Sequence, residues 1–119
     1  MSKYHARKIT TTEGNFDSGK EYRRWCELKL LERAGKISAL CRQQTYTLIP
    51  EQRESDTIGP RGGVKRGRVI ERAVYYVADF VYRKDGETVV EDSKGMRTKD
   101  YIIKRKLMLW VYGIRILET

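Results

Sequence analysis

Cysteine and histidine are the scarcest chemistry-bearing residues of this chain, which holds two Cys and one His in 119 positions. Cys26, Cys41 and His5 are too few for a disulfide framework or a Cys/His zinc site, and both thiols are expected in the core. His5 lies in a polar N-terminal stretch, which gives a Cys/His nucleophilic pair little support. Long apolar runs are also missing. The longest, Leu107 to Tyr112, falls far short of the ~20 residues that a spanning helix needs, and the opening MSKYHARK lacks the apolar stretch of a signal peptide. No membrane anchor or export is expected, which leaves the cytoplasm as the default compartment. Acid is in deficit too: 16 Asp plus Glu against 25 Lys plus Arg leave a formal charge of +9, which favours a polyanionic partner.

What is present fits one compact soluble domain over residues 1–119, with 39% apolar and 34% charged residues and 8 Tyr. The basic excess is clustered. Lys3, Arg7 and Lys8 open the chain; Arg61, Lys65, Arg66 and Arg68 fall within residues 59–68; Lys94, Arg97, Lys99, Lys104, Arg105 and Lys106 surround a lone Asp100.

Residues 1–15 read as a basic arm ending in a short strand or loop. A helix is expected from Ser18 to Ala34: Ser18 can cap it, Glu21 stands three residues on, and Gly35 stops it. Thr45 to Ile49 are β-prone, and Pro50 ends that run. Residues 51–71, with Gly59-Pro60 and Gly62-Gly63, read as a mobile basic insertion or hairpin tip. Ala73 to Tyr82 is the strongest strand, and Asp85-Gly86 signals a tight turn into a second strand ending at Lys94. Thr98 can cap a last helix running to Tyr112, Gly113 stops it, and Ile114 to Leu117 completes the chain with a strand. The resulting order, α-β-β-β-α-β, implies an α/β fold with a mixed sheet flanked by helices.

A two-residue turn at Asp85-Gly86 sets Lys84 opposite Glu87, and counting back along both strands sets Asp79 opposite Asp92 on one side of the sheet. Lys94 shares that side; Glu91 points to the other. Two facing carboxylates in a half-buried strand pair need positive charge between them, which Lys94 and a divalent cation would supply. Taken singly, each of these residues also fits an ordinary surface pair. Glu21 has two readings. It completes a capping box with Ser18, and it shares a helix face with Trp25 and Leu28 that turns toward the sheet and could bring it to the two aspartates. Such an all-oxygen set suits Mg2+ or Mn2+ and not zinc.

In these residues the chain resembles the PD-(D/E)xK nuclease superfamily, which includes restriction endonucleases, archaeal-type Holliday junction resolvases and the end-cleaving nuclease subunit of some transposons. Glu21 in FDSGKE matches the helical acid, Asp79 the first strand acid, and Asp92-Ser93-Lys94 the (D/E)xK element. The stretches FDSGKEYRRWCELKLLERAGKI, YYVADFVYRKDGETVVEDSKGMRTKDYIIKRKL and YGIRILE look like a family of small phage-encoded proteins placed in that superfamily. Ala78 stands where the superfamily's name has proline. Glu91 leaves a second candidate for the strand acid, although the pairing and the spacing to Lys94 favour Asp92.

The resemblance implies a restriction-endonuclease-like core and a metal-dependent endonuclease of a phage-infected or prophage-carrying bacterium, resolvase-like and acting on branched DNA as a homodimer. Asp79, Asp92 and the Ser93 carbonyl would hold the metal, Glu21 would join them directly or through water, and Lys94 would orient or deprotonate the attacking water. Arg61, Lys65, Arg66, Arg68, Arg97, Lys99, Lys104 and Lys106 would contact phosphates, which positions DNA without reading sequence. Tyr101, Trp110 and Tyr112 are expected in the core. Two other readings stand beside this one: a non-catalytic nucleic-acid-binding module with the same fold, and a packaging or assembly protein whose basic loops contact other proteins.

Overall fold

The structure, a computed structural model, describes residues 8–93 and 96–119, so Lys94 and the start of the basic arm lie outside the described residues. A short hairpin, β1 (Ile9–Thr11) and β2 (Gly14–Phe16), precedes helix α1 (Gly19–Arg33). The long strand β3 (Ser38–Ile49) follows, then four short strands, β4 (Gln52–Arg53), β5 (Thr57–Ile58), β6 (Val64–Lys65) and β7 (Val69–Glu71). The chain closes with β8 (Val74–Lys84), β9 (Glu87–Asp92), helix α2 (Lys99–Tyr112) and β10 (Leu117–Glu118). The main sheet has the order β10-β9-β8-β3, antiparallel except for the parallel β10-β9 pair, and is therefore mixed.

Local chemistry accounts for the boundaries. The Ser18 hydroxyl accepts the Glu21 N–H at 3.1 Å, and beyond the helix Gly35 takes a left-handed φ of 74° where the chain turns away. Thr98 accepts the Tyr101 N–H in the same way, and Gly113 (φ 68°) ends α2. Asp85 and Gly86 have φ of 51° and 80°, the two positive values of a type I′ turn, and they fix the β8-β9 register from Lys84↔Glu87 to Phe80↔Glu91. β3 begins earlier than the propensity of residues 45–49 indicates, because pairing with β8 recruits the polar stretch from Ser38. The terminal strand is shorter and later than expected, Leu117 and Glu118 alone pairing with Glu91 and Asp92.

Both faces of the sheet are covered. Phe80 and Tyr82 pack with Leu28 and Ile37 on the α1 side, with Trp25 stacked on Phe80 at a centroid distance of 6.1 Å. Tyr76, Ala78, Val81 and Val90 pack with Tyr101 and Met108 on the α2 side. Strict alternation would place residues 76, 78, 80 and 82 on one face, so the phase of β8 slips between Ala78 and Phe80. Opposite the slip is Gln43, set between the pairs Arg42↔Phe80 and Gln44↔Ala78, with a positive φ of 53°. Asp79 occupies the slip itself.

Residues 51–71 are an arm rather than a loose loop. β4 pairs with β7 and β5 with β6, extending the β3-β8 hairpin outward. Gly67 is required there by close approach: a Cβ would fall 1.8 Å from the Glu54 carbonyl oxygen. Trp110 departs from the expected core position. It is 85% exposed on the outer side of α2, where no further layer packs among the described residues, and Tyr112 is also exposed while donating its hydroxyl to the Thr47 carbonyl at 2.7 Å.

Candidate active site

The β8-β9 ladder runs in register to Phe80↔Glu91, one step short of the two aspartates. Beyond it the Asp79 carboxylate accepts the Ser93 backbone N–H at 2.8 Å, tying the slip in β8 to the end of β9. Asp92 is fully buried and its Oδ2 accepts the Tyr76 hydroxyl at 2.6 Å. Burial, together with this hydrogen bond and the nearby charges of Asp92 and Asp79, raises the Tyr76 pKa, so the phenol remains a donor.

The neighbouring acid is used differently. Glu91 is also fully buried, but it faces α1, where Arg24 grips it with a two-pronged fork, Nε to Oε1 and Nη2 to Oε2, both at 2.8 Å. The Tyr82 hydroxyl donates to the same carboxylate, and burial followed by that bond pushes the Tyr82 pKa up to about 12. Glu91 therefore anchors β9 to α1. Of the two candidates for the strand acid, Asp92 is the one on the side of Tyr76 and Asp79.

Glu21 is buried, as its helical spacing with Leu28 implied, and its Oε2 accepts the Asp17 N–H at 3.2 Å while Ser18 caps its own N–H. The Ser18 half of the capping box is formed, while the Glu21 carboxylate bonds back to Asp17 and not to the Ser18 N–H. Its second oxygen is engaged from β3. The Gln43 amide donates to its Oε1 at 3.2 Å, and Arg42 lies 3.7 Å from the same oxygen with its guanidinium 3.7 Å above the Phe16 ring. Burial raises the Glu21 pKa above its ordinary 4.5, with the Asp17 N–H and Arg42 opposing. Since Gln43 is the β3 residue across from Asp79, the helical acid reaches the slip through one amide. Among the described residues no three Asp, Glu, His or Cys side chains gather as a metal-holding group, so the expected convergence of Glu21 with the two aspartates is not seen.

A pocket of about 320 Å³ opens where α1 passes the end of β9, lined by Lys20, Arg23, Arg24, Glu27, Ser93 and Thr119. Sequence reasoning missed its cations. The signal was the spacing of Lys20, Arg23, Arg24 and Glu27 along the α1 stripe next to the one that carries Glu21, Trp25 and Leu28. Arg42 and Gln43 left no local signal, because their role depends on the β3-β8 register.

The remaining expected cations are spread. Arg61, Lys65, Arg66 and Arg68 stand exposed on the arm, and Lys99 and Lys106 are exposed on α2 while Lys104 is half-buried. Arg97 is held by Glu118 at 3.1 Å, with Arg105 on the same carboxylate at 3.5 Å, so part of this cluster serves to tie α2 to β10.

Comparison with protein-family models matches residues 1–115 to a family described as "Protein of unknown function (DUF1064)". The chain belongs to the DUF1064 family. No curated protein and no solved structure matches it. In this DUF1064 chain no helix among the described residues is long and apolar enough to cross a membrane.

Proposed function

We propose that this DUF1064 chain is a metal-dependent DNA endonuclease of the PD-(D/E)xK type, acting on branched DNA as a homodimer. The observation that carries the reading is the hydrogen bond from the Ser93 N–H to the Asp79 carboxylate, which ties Asp79 to the end of β9 next to the buried Asp92. A buried aspartate and a second one set at a break in its strand are costly to place, and such costs are kept where they have a task.

The donor set fits a hard cation: two carboxylates on adjacent strands and the Ser93 carbonyl supply oxygen only, which matches Mg2+ or Mn2+. Asp79, Asp92 and Ser93 would hold it, with Glu21 contributing through the Gln43 side; when bound, the ion would stabilise an attacking hydroxide and the charge on the phosphoryl oxygens. The chain's own groups do the rest. The Ser93 N–H orients Asp79 and the Tyr76 hydroxyl orients Asp92; Lys94, next to Ser93 in sequence, would orient or deprotonate the attacking water. Lys20 and Arg23, in the adjoining pocket, would take phosphates flanking the scissile bond. The exposed Ile103 and Trp110, seven residues apart on α2, support a second copy docking there, since a single chain leaves that apolar stripe in water.

One observation favours the non-catalytic module instead: Glu21 is engaged by Arg42 and Gln43, apart from any three-acid group among the described residues. The two readings separate in one assay. Labelled four-way junction, flap, nicked and linear duplex DNA are incubated with Mg2+, Mn2+ or EDTA, using wild type and Lys94→Ala. Metal-dependent cutting that Lys94→Ala abolishes is expected; binding without cutting on every substrate would move the assignment to the binding module.

A further inference from the structure

We infer that the outer half of the arm is a groove-reading β-ribbon, whose apolar pair Ile58 and Val64 meets DNA bases while Arg61, Lys65, Arg66 and Arg68 hold the phosphates on either side. The inference rests on the DNA reading above and adds the surface that recognises the duplex.

The arm divides by charge. Its neck carries Glu51, Glu54, Asp56 and Glu71, and part of that acid is already spent: Glu51 pairs with Arg53, and Asp56 accepts the Gly67 N–H at 2.9 Å. From Thr57 to Arg68 there is no acidic residue and there are four cations. The neck is also pinned. Arg53 donates to the Gly67 carbonyl at 2.8 Å, the Glu54 N–H reaches the Arg68 carbonyl at 2.8 Å, and Gly67 lets the two strands cross in close contact. The outer half therefore projects on a braced stem, in an outline of 59 × 41 × 30 Å.

At the tip Ile58 and Val64 are direct cross-strand partners and so share one face. They are 72% and 71% exposed, exceeded among the large apolar residues described only by Trp110. The turn between them, Gly59 to Gly63, is closed by the Gly59 N–H on the Gly63 carbonyl at 2.7 Å and contains Pro60 and Arg61. An apolar pair in water, in a stretch whose only charged residues are cations, complements a surface that is apolar at its centre and anionic at its rims. The major groove of duplex DNA has that form: it admits a two-stranded ribbon, presents thymine methyl groups to apolar side chains, and is bordered by phosphates.

The test is equilibrium binding of the full chain to duplex and junction DNA in EDTA, so that no cleavage intervenes, across a range of salt. Replacing Arg61, Lys65, Arg66 and Arg68 with Ala should lower the slope of log K against log salt by about 2 to 4, since each lost phosphate contact removes about 0.9. Ile58→Ser with Val64→Ser should weaken binding about tenfold and leave the slope unchanged. Guanine N7 methylation within the site should interfere with the wild type and not with the serine variant, which places the pair in the major groove. All these residues are exposed, so far-UV circular dichroism should confirm that both variants fold. Unchanged slopes and affinities, or a serine variant that only converts a dimer to a monomer, would overturn the inference. A chain that binds through the ribbon but never cuts would retain it and overturn the nuclease; a chain that cuts with ribbon variants as active as wild type would do the reverse.

Discussion

At the end of β9 two consecutive carboxylates, both fully buried, face opposite sides of the sheet and are treated in opposite ways. On the α1 side Glu91 meets a guanidinium fork and a phenol, an arrangement that matches its charge and fixes its geometry. On the α2 side Asp92 takes the hydroxyl of Tyr76. The first arrangement is what a structural anchor needs, because an ion pair with two parallel hydrogen bonds holds two elements together. The second joins a buried carboxylate to a phenol. On the function proposed above, the difference would separate a residue that builds the site's frame from one that supplies its chemistry, although the two are adjacent in sequence.

Removing the fork gives the largest expected effect. Arg24→Ala leaves Glu91 buried without its guanidinium, a change that costs about 3–5 kcal/mol in comparable cases. Urea unfolding should register the loss, and Arg24→Lys should recover only part of it, since an ammonium cannot reproduce the fork. A loss below about 1 kcal/mol in Arg24→Ala would mean that Glu91 is not an anchor.

Asp79→Asn and Asp92→Asn should invert that pattern. Each amide keeps an acceptor for the Ser93 N–H or the Tyr76 hydroxyl, so stability should change by only about 1 kcal/mol. Metal-dependent cleavage should fall by about 10² to 10³, the scale of losing one group that stabilises charge in the transition state. Mg2+ or Mn2+ should also raise the melting temperature of wild type and much less that of the double variant. Equal metal shifts in the two proteins would remove the metal from Asp79 and Asp92.

Lys20→Ala with Arg23→Ala touches the rim of the same site from the α1 side. Binding to DNA should weaken about tenfold and the salt slope should fall by about 1 to 2, as two phosphate contacts would require. An unchanged slope would leave that pocket as ordinary solvated surface.

The contrast between the two β9 acids was half legible in the sequence. A tight Asp85-Gly86 turn determines pairing by counting, so the register and the opposite facing of Glu91 and Asp92 could be reached without coordinates. The caps at Ser18 and Thr98 were equally local, and so were both helices. What depended on distant strands was out of reach. The positive φ of Gln43 and the slip at Asp79 arise from the β3-β8 pairing, and Arg42 finds Glu21 only because that pairing sets it beside α1. Trp110 was misplaced for the same kind of reason: an aromatic residue in a helix is buried only if another layer covers its side, and α2 has the sheet on one side alone.

Glu21 gives the smallest effect and the finest division between frame and chemistry. Its pKa is raised above 4.5, chiefly by burial, so the folded chain holds that proton more tightly than the unfolded one does. Between 4.5 and the raised native value folding takes up a proton; stability therefore declines as pH rises through that window and stays lowered at neutral pH. Glu21→Gln keeps an acceptor for the Asp17 N–H and abolishes the titration. Its melting temperature, relative to wild type, should be higher at pH 7 than at pH 4. If Glu21 served only as a cap and a partner for Arg42, the glutamine variant would carry no cost beyond that weakened contact. A variant more stable at neutral pH yet slower in metal-dependent cleavage would mean that the charge is kept at the expense of the fold, for the reaction. A variant whose relative stability falls as pH rises would mean that Arg42 governs this carboxylate, and Glu21 would then belong with Glu91 as part of the frame.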